Sequence, residues 1–164
     1  MRQVALDTRT QALPAGWKWE RLGDVVAENQ VGFACGERDE SGLIQLRMNN
    51  VTVDGSYDWE TVTRIPFLAG DLNKYSLREN DVLFNNTNSV ELVGKSALFR
   101  GLSEPVVFSN HFTRLRTNPT VLDSGLLALW LLKEWKSGTF ARLCNRWVGQ
   151  AAVQRKPWLS LSRP

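Results

Sequence analysis

Over residues 13–116 the apolar side chains come in short runs, and each run is cut off by glycine, asparagine or aspartate. Runs this short, bounded by turn formers, build strands, not helices. After a turn at Leu13-Pro14-Ala15-Gly16, the residues Trp17, Trp19 and Arg21 alternate with Lys18, Glu20 and Leu22. That alternation predicts a strand, and Gly23-Asp24 then turns the chain into a valine-rich segment. Residues 32–42 hold three glycines among charged residues and read as a loop. A strand is predicted over 43–48, ending at Asn49-Asn50. Residues 51–53 and 57–65 follow as a hairpin around Asp54-Gly55, a dipeptide suited to a type I′ turn, whose two central residues take positive φ. Val82-Leu83-Phe84 has the pattern of a buried strand that stops at Asn85-Asn86-Thr87-Asn88-Ser89. Further strands are predicted over 90–99, 106–108, 112–116 and 158–161.

Helical signal is confined to the last third. Asp123 or Ser124 caps a helix through Leu126, Leu129, Trp130 and Lys133 to Lys136, with the lysines at its negative end and Gly138 stopping it. A second helix is predicted over 140–147, ended by Gly149-Gln150. Many strands followed by two helices, without β-α-β alternation, predict an α+β fold. The expected sheet is mixed, mostly antiparallel and twisted, with β-hairpins and two C-terminal helices. Residues 1–12 show no apolar period and are expected to be a flexible leader. Residues 13–164 are expected to form one domain, large enough to bury a core without disulfides or metals.

The chemistry-bearing residues are sparse. With two cysteines, Cys35 and Cys144, and one histidine, His111, no zinc site has recognisable spacing. No nucleophile elbow, Walker loop or dinucleotide fingerprint is present. Asp81, Glu91 and Lys95 loosely resemble a nuclease D…E-x-K arrangement, but the spacing is wrong and surface charge is the simpler reading. The same holds for Glu37, Asp39 and Glu40 around Arg38. No catalytic residue, metal or cofactor is therefore expected. Residues 1–11 are polar, and no apolar run approaches the roughly 20 residues of a membrane span, so a cytoplasmic protein is expected.

What stands out is polar chemistry at the ends of strands. Asn85, Asn86, Thr87, Asn88 and Ser89 form one such stretch. Arg47 with Asn49 and Asn50 forms a second, and Asn110 and His111 with Arg114 and Arg116 a third. Arg146 and Gln150 add a cation and an amide near the second helix. Amides both donate and accept, which suits adenine edges, and arginine suits guanine and phosphate. These residues are also ordinary turn formers and solvated strand faces. A net charge of +3 permits a phosphate-facing surface without requiring one. Seven tryptophans offer a second possibility, a protein-binding face.

The run Asp81-Val82-Leu83-Phe84-Asn85-Asn86-Thr87-Asn88-Ser89, then Glu91-Leu92-Val93-Gly94-Lys95, closely resembles a stretch of the target-recognition domains in type I restriction-modification specificity subunits. Asn80 stands where that pattern carries glycine, and both residues accept positive φ. Leu13-Pro14-Ala15-Gly16-Trp17, Leu22-Gly23-Asp24, the strand from Ile44 to Val51, Phe108 to Arg116 and Gly149-Gln150 are similar to further family segments, in order. The resemblance spans residues 13–161. It implies a mixed α/β recognition domain that binds half of a split duplex target. It also implies methyltransferase and endonuclease subunits as partners, which would carry the S-adenosylmethionine and ATP chemistry. The long spacer helices and the second recognition domain of that family are missing, so a fragment or truncated product is expected. The alternative is a non-enzymatic interaction module that contacts a methyltransferase subunit or self-associates. Under the DNA reading, alanine at Arg47, Asn86 or Lys95 is expected to weaken binding without lowering the melting temperature.

Overall fold

The computed structural model describes residues 13–66, 72–147, 150–153 and 162–163. The expected leader over 1–12 and the strand expected over 158–161 lie outside the described residues. In chain order the elements are β1 (Glu20–Arg21), α1 (Leu22–Val25), β2 (Val26–Val31), β3 (Leu43–Leu46), a 3-10 turn (Met48–Asn50), β4 (Thr63–Ile65), α2 (Leu72–Tyr75), β5 (Val82–Asn85) and β6 (Thr87–Asn88). They continue with β7 (Ser96–Leu98), β8 (Val106–Phe108), β9 (Phe112–Thr117), α3 (Ser124–Lys136), α4 (Thr139–Leu143), β10 (Asn145–Trp147), β11 (Gln150–Ala152) and β12 (Ser162–Arg163). The fold is α+β, as the strand-then-helix order predicts.

The central sheet has the order β2-β9-β5-β7 and is antiparallel throughout. All four residues of β5 are buried. Successive side chains of a strand point to opposite faces, so Val82 and Phe84 enter one core while Leu83 enters another. The first core is closed by α3 and α4 through Leu127, Leu131 and Phe140, whose ring meets Phe84 edge-on at 4.9 Å. The second is closed by a smaller sheet, β4-β3-β8, through Ile44, Leu46, Val106 and Phe108. There β3 and β8 run parallel, with Leu46 level with Phe108. A third sheet, β10-β11-β6, pairs Thr87 and Asn88 with the chain beyond the helices.

Several local expectations change. The strand expected over Trp17 to Leu22 is confined to Glu20–Arg21, and the turn expected at Gly23-Asp24 is one helical turn over Leu22–Val25. The Asp54-Gly55 hairpin is not type I′. Asn80 is the one non-glycine residue with positive φ among the described residues, so Asp54 is not left-handed, while Gly55 is (φ 83). Thr52 donates its N–H to Ser56 (3.0 Å) and Val51 bridges Tyr57, which makes a three-residue loop of the kind that ends on a left-handed glycine. The second helix ends at Leu143, because Cys144 is extended and Asn145 to Trp147 pair with β11. Gln150 thus begins a strand and does not end a helix. Other expectations hold. Asp123 caps α3 by accepting from the Leu126 N–H (2.8 Å), and Gly138 follows its last turn at φ 76. Asn80 takes φ 70, which glycine takes most readily and asparagine tolerates.

Gly94, in the turn before β7, lies directly against α4. Its φ is +95, and a Cβ there would lie 2.3 Å from the Phe140 ring. Gly94→Ala is expected to lower the unfolding free energy by about 2–4 kcal/mol through strain plus overpacking. Urea titration followed by tryptophan fluorescence measures this, and a change within about 0.5 kcal/mol would place Gly94 outside the packed interior.

Candidate nucleic-acid interface

Because β3 and β8 are parallel, the chain leaves both at the same end of the small sheet. Arg47 and the 3-10 turn emerge from β3, and Ser109 to His111 emerge from β8. A parallel bridge between Phe33 and Ser109 brings the loop after β2 to the same place. The Ser109 N–H donates to Leu46 (2.9 Å) and the Asn110 N–H to Phe33 (3.2 Å). Asn86 joins the third sheet to this edge. Its N–H donates to His111 (2.9 Å), its carbonyl accepts from Val153 (3.0 Å), and its Nδ2 donates to Asn110 O (3.3 Å) and Thr113 Oγ1 (3.1 Å). Short polar side chains from four parts of the chain therefore line one end of the fold.

The residues named from sequence divide into two groups. Asn50 is buried and works inward: its Oδ1 accepts from the Arg47 N–H (2.8 Å) and its Nδ2 donates to Asp58 O (3.1 Å). Lys95 is 5% exposed, and its ammonium donates to the carbonyls of Val51 and Met48. Burial pushes that ammonium below its ordinary range. Lys95 is thus a strut under the turn that carries Asn49, not a surface cation. Asn85 is fully buried, held by main-chain bonds to Lys95 O and from the Gly94 N–H, both 2.8 Å.

Arg114 and Arg116 are also spoken for. Arg114 is 4% exposed, donates to the carbonyls of Lys74 (3.0 Å) and Ser76 (2.9 Å), and stacks on Phe108 at 5.7 Å. Arg116 donates to both oxygens of buried Asp81 (2.7 and 3.1 Å) and to Glu28 (3.0 Å). Burial pulls the Arg116 guanidinium down, but the bonds and charges of Asp81 and Glu28 leave it raised overall. For Arg114 burial prevails and its pKa is lowered. With Arg116 on Asp81 and Lys95 on main-chain carbonyls, the loose D…E-x-K likeness has no common centre. Glu91 sits apart and exposed, its carboxyl kept low by the amide of its own turn, by Ser89 and by the charge of Arg146.

The second group is at least partly exposed, with the Asn86 amide already taken up by Asn110, Thr113 and Thr87. Asn49, Asn110, Arg146 and Gln150 are exposed, and Arg47, Asn86, Thr87, Asn88, Ser89 and His111 are half-buried. In the β6–β11 ladder Asn88 lies opposite Ala151, beside Gln150, and Arg146 lies opposite Ala151 on the other side. Arg146 leans on Ala141 O (3.2 Å). One participant escapes sequence reading. Arg38, inside an acidic run, folds back on the carbonyls of Glu37 (2.8 Å) and Gly36 (3.1 Å) and reaches Cys35 O (3.4 Å), which also accepts from Arg47 Nη2 (3.0 Å). Its signal is an arginine in a glycine-bounded loop next to a strand end, which is weak without the pairing.

No family model matches the sequence. The chain is 25% identical over 163 residues to a protein of Methanocaldococcus jannaschii described as the MjaX type I restriction enzyme specificity subunit. It is 27% identical over 122 residues to the EcoAI type I restriction enzyme specificity subunit of Escherichia coli. These alignments cover 96% and 73% of the chain but 37% and 20% of the relatives. The fold is shared with the HsdS subunit of Thermoanaerobacter tengcongensis (TM-score 0.62, 18% identity, 93% of this chain and 34% of that one). It is also shared with the S subunit of a type I restriction-modification system of M. genitalium (TM-score 0.54, 12% identity, 93% and 35%). A chain from a structure of type I complex assembly and conformational transition agrees as well (TM-score 0.67, 16% identity, 95% and 35%). The resemblance read from the motifs is therefore met in sequence and in fold: the relatives are type I specificity subunits, and the chain spans about a third of the solved ones. No helix among the described residues is long and apolar enough to cross a membrane.

The division corrects the expectation for Lys95. Lys95→Ala and Asn50→Ala each strand buried carbonyls or amides and are expected to cost about 1–3 kcal/mol of stability. Asn49→Ala and Gln150→Ala, on exposed side chains, are expected to stay within about 0.5 kcal/mol. Thermal and urea unfolding of the four variants check the ordering, and a stable Lys95→Ala protein would contradict the strut.

Proposed function

We propose that residues 13–164 form a single target-recognition domain that binds duplex DNA sequence-specifically and reads one half of a split target. The observation that carries this is the convergence of Arg47, Asn49, Asn86, Thr87, Asn88, Asn110, His111 and Gln150 at one end of three sheets. Such groups read base edges and hold phosphates when presented on loops anchored by strands. The specificity subunits to which the chain is similar support the reading. The domain is a recognition element and not an enzyme. Methyltransferase and endonuclease subunits would supply the chemistry, in the cytoplasm.

A second reading, a protein-interaction module that contacts a methyltransferase subunit, is favoured by one observation. A groove of about 530 Å³ lies between α3 and the Asp54–Tyr57 turn, lined by Trp59, Leu98, Leu129 and Leu132, with Leu129 67% exposed. Light scattering with a methyltransferase subunit, read beside duplex binding, separates the two: docking without duplex binding favours the interaction module.

Fluorescence anisotropy on labelled duplex pools tests the first reading. Affinity is expected to fall steeply with salt, because each neutralised phosphate releases counterions. Arg47→Ala and Asn49→Ala are expected to weaken binding to the preferred duplex by about 1–3 kcal/mol per lost base contact, with unfolding unchanged for Asn49→Ala. Binding that is flat in salt, or equal in parent and variants, contradicts the assignment.

A further inference from the structure

Two guanidiniums share one carbonyl at the end of β3, and His111 leaves β8 at the same end of the small sheet. Arg38 and Arg47 both donate to Cys35 O, at 3.4 and 3.0 Å. Arg47 is held below its ordinary range by burial and then by the charge of Arg38, with the adjacent Cys35 side chain acting in the opposite direction. His111, half-buried at the end of β8 where Ser109 and Asn110 bond Leu46 and Phe33, is likewise pulled down by burial and then by Arg47. The imidazole nitrogens make no hydrogen bond with the described residues, whereas the His111 carbonyl is occupied by the Asn86 N–H. Like charges drawn together in a partly desolvated place cost stability unless an anion joins them.

Other charged groups reach this end of the fold from the surrounding elements. From the loop after β2 come Glu37, Asp39 and Glu40 as well as Arg38. Asp39 is bound to Ser41 N (3.0 Å) and Oγ (2.7 Å), and neither Glu37 nor Glu40 forms an ion pair among the described residues. Lys95, leading into β7, points to Val51 O. On β9, Arg114 and Arg116 are matched by Asp81 and Glu28. β6 brings only the neutral Asn86, Thr87 and Asn88. Arg47 is the charge whose field reaches the imidazole.

We propose that Arg38, Arg47 and His111 form a phosphate-binding site, and that binding of the anion draws a proton from solvent onto His111. The anion is a backbone phosphate of duplex DNA, and to that extent the inference rests on the function proposed above. The sign follows from linkage. In the free protein His111 is neutral above its lowered pKa. An adjacent phosphate favours the imidazolium and raises that pKa, so affinity strengthens as the pH falls through the bound-state value and levels off below the free-state value.

His111 is the only histidine in the chain, so its Cε1 proton is a resolved NMR reporter. The pH titration is run on the free protein, with sodium sulfate at matched ionic strength, and with a duplex that binds in the anisotropy assay. The apparent pKa is expected to rise by about one unit with sulfate and with duplex, equivalent to about tenfold tighter binding at low pH than at high pH. Arg47→Gln is expected to raise the free-state pKa and shrink the ligand-driven rise. Should that variant unfold, Arg38→Gln is expected to shrink the rise in the same way. His111→Gln is expected to lose the pH dependence, its duplex affinity no longer strengthening as the pH falls. A His111 that neither ligand moves, in a protein that binds duplex, overturns this site and leaves DNA recognition standing. A rise with sulfate in a protein that binds no duplex leaves a small-oxyanion site and overturns its assignment to DNA.

Discussion

Strand β5 is buried on both faces, and the other layers are arranged to keep it so. A strand in that position must be apolar without alternation, as Val82, Leu83 and Phe84 are. One face needs α3 and α4 to cover it, the other the β4-β3-β8 sheet. The burial extends one residue too far for a polar side chain, and Asn85 is carried into the interior with its neighbours. From Asn86 the chain is half-buried, so the polar stretch beginning there is partly exposed on a rigid base.

The second consequence is directional. Covering β5 with a parallel β3–β8 pair sends two chain ends, and the loop bridged to them, to the same edge. Arg38, Arg47, Asn110 and His111 arrive there from positions up to 73 residues apart (111 − 38), next to Asn86. Loops anchored on strands of one sheet hold their polar tips at fixed spacing, which is what reading a rigid duplex requires. Lys95 and Asn50 belong to the same design from below, fixing the turn on which Asn49 stands.

Much of this was legible in the residues themselves. The apolar pattern of β5, β8 and β9, the cap at Asp123, and the positive φ of Asn80 follow from local chemistry. The polar strand ends were legible as a class. Their sorting was not, because it depends on partners far away in the chain: Asp81 is 35 residues from Arg116, Glu28 is 88, and Val51 is 44 from Lys95. Arg114 and Arg116 resemble a solvated strand face until Asp81 and Glu28 are folded against them. The type I′ hairpin and the longer second helix failed for a different reason, a competition between alternatives that are all local. Both gave way to other short-range forms, a three-residue loop closed by the Val51–Tyr57 bridge and the adjacent β10–β11 hairpin.

Selection of bound duplexes from a random pool by the purified domain addresses sequence recognition without assuming a partner. Successive rounds should converge on one short motif of half-site length, eluted at moderate salt, and scrambling that motif should return binding to the level of the starting pool. A selected pool indistinguishable in sequence from the input would contradict sequence recognition by this domain.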